Sequence, residues 1–177
     1  MKKTLYIEKS TARERSGSWT ESLDLDGVER IVVGIGPGSF AGIRSAIAFA
    51  RGYALGSGCE VLGIPSACAL AHESEARAVV GDARRGLFWI ALFDGFRLVC
   101  DIFQVTRDEL DKRVPRGVKV ITPDAERIDG VLKEVFAENY IGGGVVDAKG
   151  LERFAAANPS ILRENPLPIY LNPAVRD

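Results

Sequence analysis

The sequence is poor in the residues that most often carry catalysis, since it has one histidine, His72, and three cysteines among 177 residues. One histidine cannot build a two-histidine metal site, and any serine or cysteine triad would have to use His72, beside which no nucleophile is evident. We therefore expect no catalytic residue, metal or cofactor, and interpret His72 as structural. Cys59, Cys68 and Cys100 are odd in number and lie among apolar residues, which predicts buried, reduced thiols.

Neither sign of charge dominates, and a long hydrophobic run is missing. Lys and Arg total 23 against 24 Asp and Glu, and with no basic patch we expect no direct binding to nucleic acid. No segment approaches the roughly twenty apolar residues of a membrane span, and Met1–Thr4 leads into a short strand, not a signal peptide. We therefore expect a cytoplasmic protein. A hydrophobic content of 46% suffices for a substantial core, in one domain or two small lobes.

The most informative segment is the glycine-rich sequence GIGPGSFAGIR at residues 34–44. It follows the β-branched run Ile31–Val33 and opens a segment rich in Ala and Ile, which predicts a strand, a tight turn and a helix. A helix N-terminus presents unpaired N–H groups that suit an anion, although a plain connector between strand and helix explains the same pattern. The candidate anion site consists of the backbone of Gly36, Gly38, Ser39 and Phe40.

Two common phosphate motifs do not fit this turn. A Walker A loop requires Lys and then Ser or Thr after its last glycine, whereas Gly42 is followed by Ile43 and Arg44. The dinucleotide fingerprint G-x-G-x-x-A is matched at residues 36–41. The next strand, Glu60–Ile64, has its only acid at the wrong end to bind a ribose, so a dinucleotide site is not expected.

The whole motif GPGSFAGIR resembles the GPGSFTGIR signature of the TsaB (YeaZ) family, with Ala41 in place of the usual Thr. Further matching blocks follow in the right order, at residues 52–56, 62–66, 82–86 and 168–171. The resemblance implies an α/β, actin-like (ASKHA, ribonuclease H-like) fold of two lobes, here 1–75 and 76–177. It also implies a non-catalytic subunit that supports the paralogue TsaD, with the ATPase TsaE, in threonylcarbamoylation of tRNA adenosine 37.

The chain departs from that family at two places. Glu8–Thr11 stands where the family has Asp-Thr-Ser/Thr, the remnant of an ATPase phosphate loop. A hairpin through Trp19 is predicted next, and only Glu21–Arg30 remains for the strand and amphipathic helix that family members place before the glycine turn. We therefore expect a shortened N-terminal lobe. An alternative function follows, that of a divergent, self-associating paralogue that binds a nucleotide or another anion at the glycine turn.

The helix predicted over Ala41–Leu55 has one apolar stripe for the core. Its opposite face carries small residues flanked by two arginines, and small residues let a second helix approach closely. We interpret this face as a partner interface, used for TsaD in the family and for a homodimer in the isolated chain, although a solvated face is the simpler alternative. The predicted interface consists of Phe40, Arg44, Ser45, Ala48, Arg51 and Gly52.

In the second half of the chain the pattern predicts a three-stranded antiparallel meander. Its first turn contains Asp82, Arg84 and Arg85, which suit an acidic or phosphorylated ligand but are more often a solvated hairpin. Ser66–Glu75 is predicted to be a helix, and Gly142–Gly144 a flexible connector. The other elements expected are strands at 78–82, 87–93, 96–102 and 118–121, helices at 124–136 and around 151–155, a short helix that begins with a capping pattern at 106–109, and an extended end from residue 165.

Overall fold

The computed structural model describes residues 2–11 and 23–171, and within these ranges the chain forms two β-sheets joined by helices. The strands lie at β1 Thr4–Ile7, β2 Arg30–Gly34, β3 Glu60–Ile64, β4 Ala76–Arg84, β5 Leu87–Asp94, β6 Arg97–Leu98, β7 Phe103–Thr106, β8 Lys119–Thr122, β9 Tyr140–Gly143 and β10 Arg163–Glu164. The α-helices are α1 Phe40–Ser57, α2 Leu110–Arg113, α3 Ala125–Phe136 and α4 Ala148–Ala157. No helix in the described ranges is long and apolar enough to cross a membrane.

The first sheet has the order β1-β2-β3-β10, and its first three strands are parallel. The predicted glycine turn joins β2 to α1, which returns the chain so that β3 can pair with β2 in parallel. Residues 23–29, which precede β2, contain a turn and no helix, as expected for a shortened lobe. The predicted hairpin through Trp19 lies outside the described residues.

Helix α1 forms where the sequence predicts it. Ser39 has extended backbone geometry, and its hydroxyl accepts a hydrogen bond from the Gly42 N–H at 3.4 Å, so it is the N-cap. The helix ends at Ser57 and is capped by Gly58, whose φ of 70° is the left-handed conformation that favours glycine. Ile43, Ala46, Ile47 and Ala50 are buried against the first sheet.

The second sheet has the order β6-β5-β4-β8-β9, with β7 also paired to β5. The predicted meander is correct for its first two strands, but the third is wrong in length. The chain leaves the sheet after Leu98, exposes Cys100 and Asp101, and re-enters as β7, which pairs with the opposite half of β5. Cys100 is therefore exposed and Cys59 half-buried, so the prediction of three buried thiols holds only for Cys68.

The predicted helix over Ser66–Glu75 is replaced by a short 3-10 helix, Ser66–Leu70. All five of its residues are buried. Helix α4 packs directly onto it, since a Cβ on Gly150 would lie 2.6 Å from the Ala69 carbonyl oxygen. The chain then turns at His72 and Glu75, which form an isolated β-bridge, and enters β4. This tertiary contact confines the segment to a compact turn, which local sequence preference does not reveal.

The prediction of a flexible connector at Gly142–Gly144 is also wrong. Gly142 and Gly143 belong to β9, which pairs with β8 in parallel. The Gly144 N–H donates to the Thr122 carbonyl at 2.8 Å, and a Cβ on Gly144 would lie 2.6 Å from Leu70 Cδ2. The glycines therefore permit close packing between the second sheet and the 3-10 helix, where a side chain would not fit.

One buried hydrophobic cluster contains residues of both sheets. Val32 and Leu62 of the first sheet lie in the same buried cluster as Val79, Trp89 and Phe93 of the second. Strand β10, which is late in the chain, returns to pair with β3. The division into lobes at residues 1–75 and 76–177 stays a prediction, and the strand exchange and common cluster join the two segments closely.

Two helix glycines provide a direct test of this packing. We expect Gly150→Ala to destabilise the protein by about 1–3 kcal/mol, because its methyl group would overlap the Ala69 backbone. Gly130→Ala in α3 is the matched control, since a Cβ there has open space, and we expect it to stabilise the protein by roughly 0.5–1 kcal/mol through helix propensity. Urea denaturation measures both, and equal effects would contradict the assigned contact between α4 and the 3-10 helix.

Candidate functional site

A cleft of about 880 Å³ lies between the two sheets. One wall is the glycine turn with the end of β1, and the other is the β4–β5 hairpin with the start of α3. The segment near the end of the described chain is extended, as predicted. It lines the cleft, and its Ile169 N–H donates a 2.8 Å hydrogen bond to the Ile35 carbonyl. The lining residues are Ser10, Thr11, Pro37, Gly38, Ser39, Phe40, Ile43, Asp82, Ala83, Arg84, Trp89, Gln104, Asp124, Arg127, Pro168, Ile169, Tyr170 and Leu171.

The glycine turn is approached closely by the protein's own chain. The Ser39 N–H donates to the Ser10 carbonyl at 2.6 Å, and a Cβ on Gly38 would lie only 2.3 Å from that same oxygen. Gly38 also has a φ of +152°. In the first turn of α1, a Cβ on Gly42 would lie 2.0 Å from the Lys9 carbonyl oxygen. The glycines are therefore required for packing against residues 9–10, whatever else this turn does.

Two of the four N–H groups in the predicted anion site already have hydrogen-bond partners within the chain. Of the four positions named, Ser39 already donates its N–H to Ser10. Gly36 donates its N–H to the Ser66 hydroxyl at 3.0 Å. The prediction of an anion at this turn therefore depends on the N–H groups of Gly38 and Phe40.

Glu8 lies in the segment that departs from the family pattern, and it does not line the cleft. Its carboxylate accepts a hydrogen bond from the Ser10 N–H, while Oε2 is buried with no hydrogen-bond partner among the described residues. This oxygen would lie 1.9 Å from a Cβ on Gly34. Burial raises the pKa of Glu8 and outweighs the hydrogen bonds from Ser10 and Ser66, which lower it. Glu8 is thus a structural carboxyl beneath the glycine turn.

The opposite wall is built on a network of two carboxylates and two guanidinium groups. Arg127 donates from Nε to Asp82 Oδ2 at 2.7 Å and from Nη2 to Asp124. Arg84 Nη1 lies 3.3 Å from Asp82 Oδ2, and the Asp82 N–H donates to Asp124 Oδ2 at 2.9 Å. Burial raises the pKa of Asp124, while its bonds to Asp82 and Arg127 act in the opposite direction. The network ties β4 to the start of α3.

The backbone of this wall is irregular. The pairing of β4 with β5 shifts register between Asp82 and Arg84, so that Ala83 forms a bulge. Arg84 and Arg85 then both have left-handed backbone angles, with φ of 69° and 53°. Of the two candidate arginines predicted from sequence, Arg84 lines the cleft and Arg85 does not. Sequence reasoning missed Asp124 and Arg127, which join Asp82 only through the packing of α3 on the second sheet.

The predicted partner face on α1 is exposed at all six positions, which are Phe40, Arg44, Ser45, Ala48, Arg51 and Gly52. Some of these side chains have contacts within the chain. The Phe40 ring lies 5.6 Å from the ring of Tyr170, and the Arg44 guanidinium is 4.9 Å from the Phe40 ring centre. Arg51 Nη2 donates to the Pro166 carbonyl at 2.8 Å. The extended end therefore lies beside this face.

His72 lies in a turn away from the cleft-lining residues. Its Nδ1 is 3.3 Å from both the backbone N–H nitrogen and the hydroxyl oxygen of Ser74. A serine is thus beside the histidine, which the sequence analysis did not identify. The Ser74 N–H donates to the same nitrogen, so the imidazole closes the turn, which agrees with a structural role.

The two sheets, with a cleft between them beside the glycine turn, fit the actin-like fold of the ASKHA class, as predicted. The family described as TsaD: tRNA N6-adenosine threonylcarbamoyltransferase matches residues 20–146, and the chain belongs to this family. That match covers the glycine turn, the β4–β5 hairpin and the start of α3.

Comparison of structures places the fold with YeaZ. YeaZ from Pseudomonas aeruginosa superposes with a TM-score of 0.67 at 20% identity, over 94% of this chain and 99% of that one. A second structure is described as an uncharacterized protein with similarity to peptidase YEAZ from Pseudomonas aeruginosa. It superposes with a TM-score of 0.67 at 18% identity, over 97% of this chain and 100% of that one. The predicted resemblance to the TsaB (YeaZ) family is confirmed at the level of the fold.

Sequence comparison finds uncharacterized proteins of Mycobacterium tuberculosis and Mycobacterium bovis. Each is 36% identical over 96 residues, which is 53% of this chain and 46% of the relative. The chain therefore spans about half the length of these curated relatives.

The buried carboxyl of Glu8 predicts a pH-dependent stability. Because its pKa is raised in the folded state, the unfolded chain ionises first as pH rises above about 4.3, and the folded protein loses stability until its own pKa is passed. We expect Glu8→Gln to match the wild type near pH 4 and to be about 1–3 kcal/mol more stable at neutral pH. Urea denaturation at the two pH values measures this difference.

Glu60→Gln is a control of opposite sign. Glu60 pairs with Arg30 at 2.8 Å and Lys2 at 3.2 Å, and hydrogen bonds from these two residues lower its pKa. Its contribution is therefore present at neutral pH and lost on acidification, so this variant is expected to lose stability at neutral pH. Equal destabilisation by Glu8→Gln at both pH values would contradict the proposed state of Glu8.

Proposed function

We propose that this protein is a TsaB-like, non-catalytic subunit that supports a TsaD-like protein in threonylcarbamoylation of tRNA adenosine 37, with a TsaE-like ATPase as a further partner. The observation that carries the proposal is the YeaZ-like fold over nearly the whole length of both chains. Membership of the TsaD family supports the same pathway. The catalytic subunits of that pathway bind their metal through paired histidines, and this sequence has one histidine.

The surface available for such a partner is the exposed face of α1. Leu55 is 92% exposed and Phe40 56% exposed, so both apolar side chains are available for contact with a partner. A Cβ on Gly52 or Gly56 would meet no atom within 4 Å, so the helix backbone is accessible from this side. A partner helix could approach Ala48 and Gly52 closely and cover the apolar residues at both ends.

The two arginines of this face already have contacts within the chain. Arg51 already bonds to the Pro166 carbonyl, and Arg44 lies over Phe40. Neither arginine needs a carboxylate from a partner, although both can help to orient a partner on the face of α1. Apolar burial around Ala48 and Leu55 is therefore the main source of binding energy in this proposal.

Binding to TsaD tests the proposal directly. We expect the tagged chain to recover the TsaD-like protein of its own host, and Ala48→Glu to reduce that recovery at least tenfold, because a buried charge would oppose docking. Ala156→Glu is the matched control, since Ala156 is an exposed alanine on the separate helix α4. The proposed role would be contradicted if the wild-type chain did not recover the TsaD-like protein at native expression levels and did not bind it when both proteins are pure.

A second candidate is self-association through the same face. It is favoured by residues 23–29, which form no helix that could cover α1 from the chain itself. A two-fold homodimer would place the small-residue face of one α1 against the same face of the other. In this candidate the protein could function without TsaD.

Light scattering separates the oligomeric states. We expect the isolated wild type and Ala156→Glu to be dimers, and Ala48→Glu to be a folded monomer with an unchanged circular dichroism spectrum. A wild type that stays monomeric at high concentration, or an Ala48→Glu variant that remains dimeric, would show that this face is not the self-association surface.

A further inference from the structure

Residues 165–171 form an extended strap that lies along one side of α1. At one end of the contact, Arg51 Nη2 donates to the Pro166 carbonyl at 2.8 Å. At the other end, the ring centre of Tyr170 lies 5.6 Å from that of Phe40. Residue numbers rise along the strap as they fall along the helix, so the two segments run antiparallel. The strap is therefore a second ridge on the surface beside α1.

Two residues of the strap hold it to the body of the protein. Pro166 is buried. Ile169 packs with the buried side chains of α1, and its N–H donates to the Ile35 carbonyl at 2.8 Å. Leu167 and Tyr170, by contrast, are 68% and 56% exposed. The anchoring of the strap thus leaves two large apolar side chains beside the exposed face of α1.

The strap also determines where the two arginines of this face lie. With about 3.6 residues per turn, Phe40, Arg44 and Arg51 fall on the edge of the face beside the strap. Ala48 and Gly52 fall on its middle. Arg51 is bonded to a carbonyl of the strap, and the Arg44 guanidinium lies 4.9 Å from the Phe40 ring centre. Both guanidinium groups are thereby held at the edge, and the small residues in the middle stay uncovered.

A helix that docks on Ala48 and Gly52 also meets the strap. Packed helices lie about 8–10 Å apart, and the strap lies about a quarter-turn around α1 from these two residues. The same spacing for the strap places it roughly 13 Å from the axis of the docked helix. Large side chains span this distance, and Leu167 is the exposed apolar residue of the strap that lies between its two anchors.

We propose that a helix of the TsaD-like partner docks against α1 and the strap together, with close approach at Ala48 and Gly52 and a second apolar contact at Leu167. This inference rests on the proposed function and adds the strap to the partner surface. The two parts of that surface are continuous, because Arg51 joins the strap to α1. In this arrangement the strap also orients the partner, since it flanks the small residues on one side only.

Affinity for the purified TsaD-like protein of the same host tests the role of the strap. Leu167→Ser removes an exposed side chain and leaves both anchors in place, and we expect it to weaken binding about tenfold. Val145→Ser is the matched control, because Val145 is 58% exposed and follows β9, the edge strand of the second sheet. We expect this control to change the affinity less than about twofold.

The possible results separate the strap from the proposed role of the protein. If the wild type binds and Leu167→Ser binds equally well, or if Val145→Ser causes the same loss, the contact with the strap is wrong and the proposed role stands. No binding by the wild type would overturn both. If Leu167→Ser keeps full affinity for the TsaD-like protein but loses self-association in light scattering, the strap belongs to a homodimer and the proposal is wrong.

Hydrogen exchange provides a second measurement that requires no variant. We expect the backbone amides of residues 167–171 to exchange more slowly when the TsaD-like protein is bound, together with those of α1, because the partner covers both ridges. Slower exchange in α1 with no change in the strap would contradict the proposal. Circular dichroism of Leu167→Ser checks that the variant is folded before its affinity is compared.

Discussion

The close contact between residues 9–10 and the glycine turn is the constraint on which the rest of the structure depends. The Ser10 carbonyl accepts from the Ser39 N–H, and Cβ atoms on Gly38 or Gly42 would overlap the backbone of Ser10 or Lys9. This contact sets the end of β1 against the start of α1. It thereby fixes one wall of the cleft and the direction in which α1 presents its exposed face. The glycines of this turn allow close backbone-to-backbone packing.

The opposite wall of the cleft is stabilised by ion pairs between side chains, whereas the first wall depends on close backbone packing. Arg127 joins Asp82 on β4 to Asp124 before α3, so a helix and a strand distant in sequence meet at one point. The bulge at Ala83 adds Arg84 to the same surface. The exposed face of α1 and the cleft meet at Phe40, which belongs to the α1 face and also lines the cleft.

The sequence predicted elements well wherever local signals were complete. Ser39 and the apolar stripe of α1 specified both the cap and the buried face, and the Thr106–Glu109 pattern forms the expected capping box. Prediction failed at Ser66–Glu75 and Gly142–Gly144, where distant elements decide the conformation. Helix α4 packs closely on Ser66–Leu70, the start of the first segment. Gly142 and Gly143 of the second belong to a strand that pairs with β8. Such contacts leave no periodic pattern in the segment itself.

The sequence alone determined the family resemblance, the strand–turn–helix around residues 34–57 and the exposed face of α1, because each depends on neighbours within a few residues. It also provided Asp82 and Arg84 as candidates, but not their partners. Only the tertiary structure decided that Asp124 and Arg127 complete their network, that Glu8 is buried beneath Gly34, and that Ser10 occupies one donor of the predicted anion site. These features depend on contacts between residues about 26 to 45 positions apart, and the closing of such contacts is a property of the packed core.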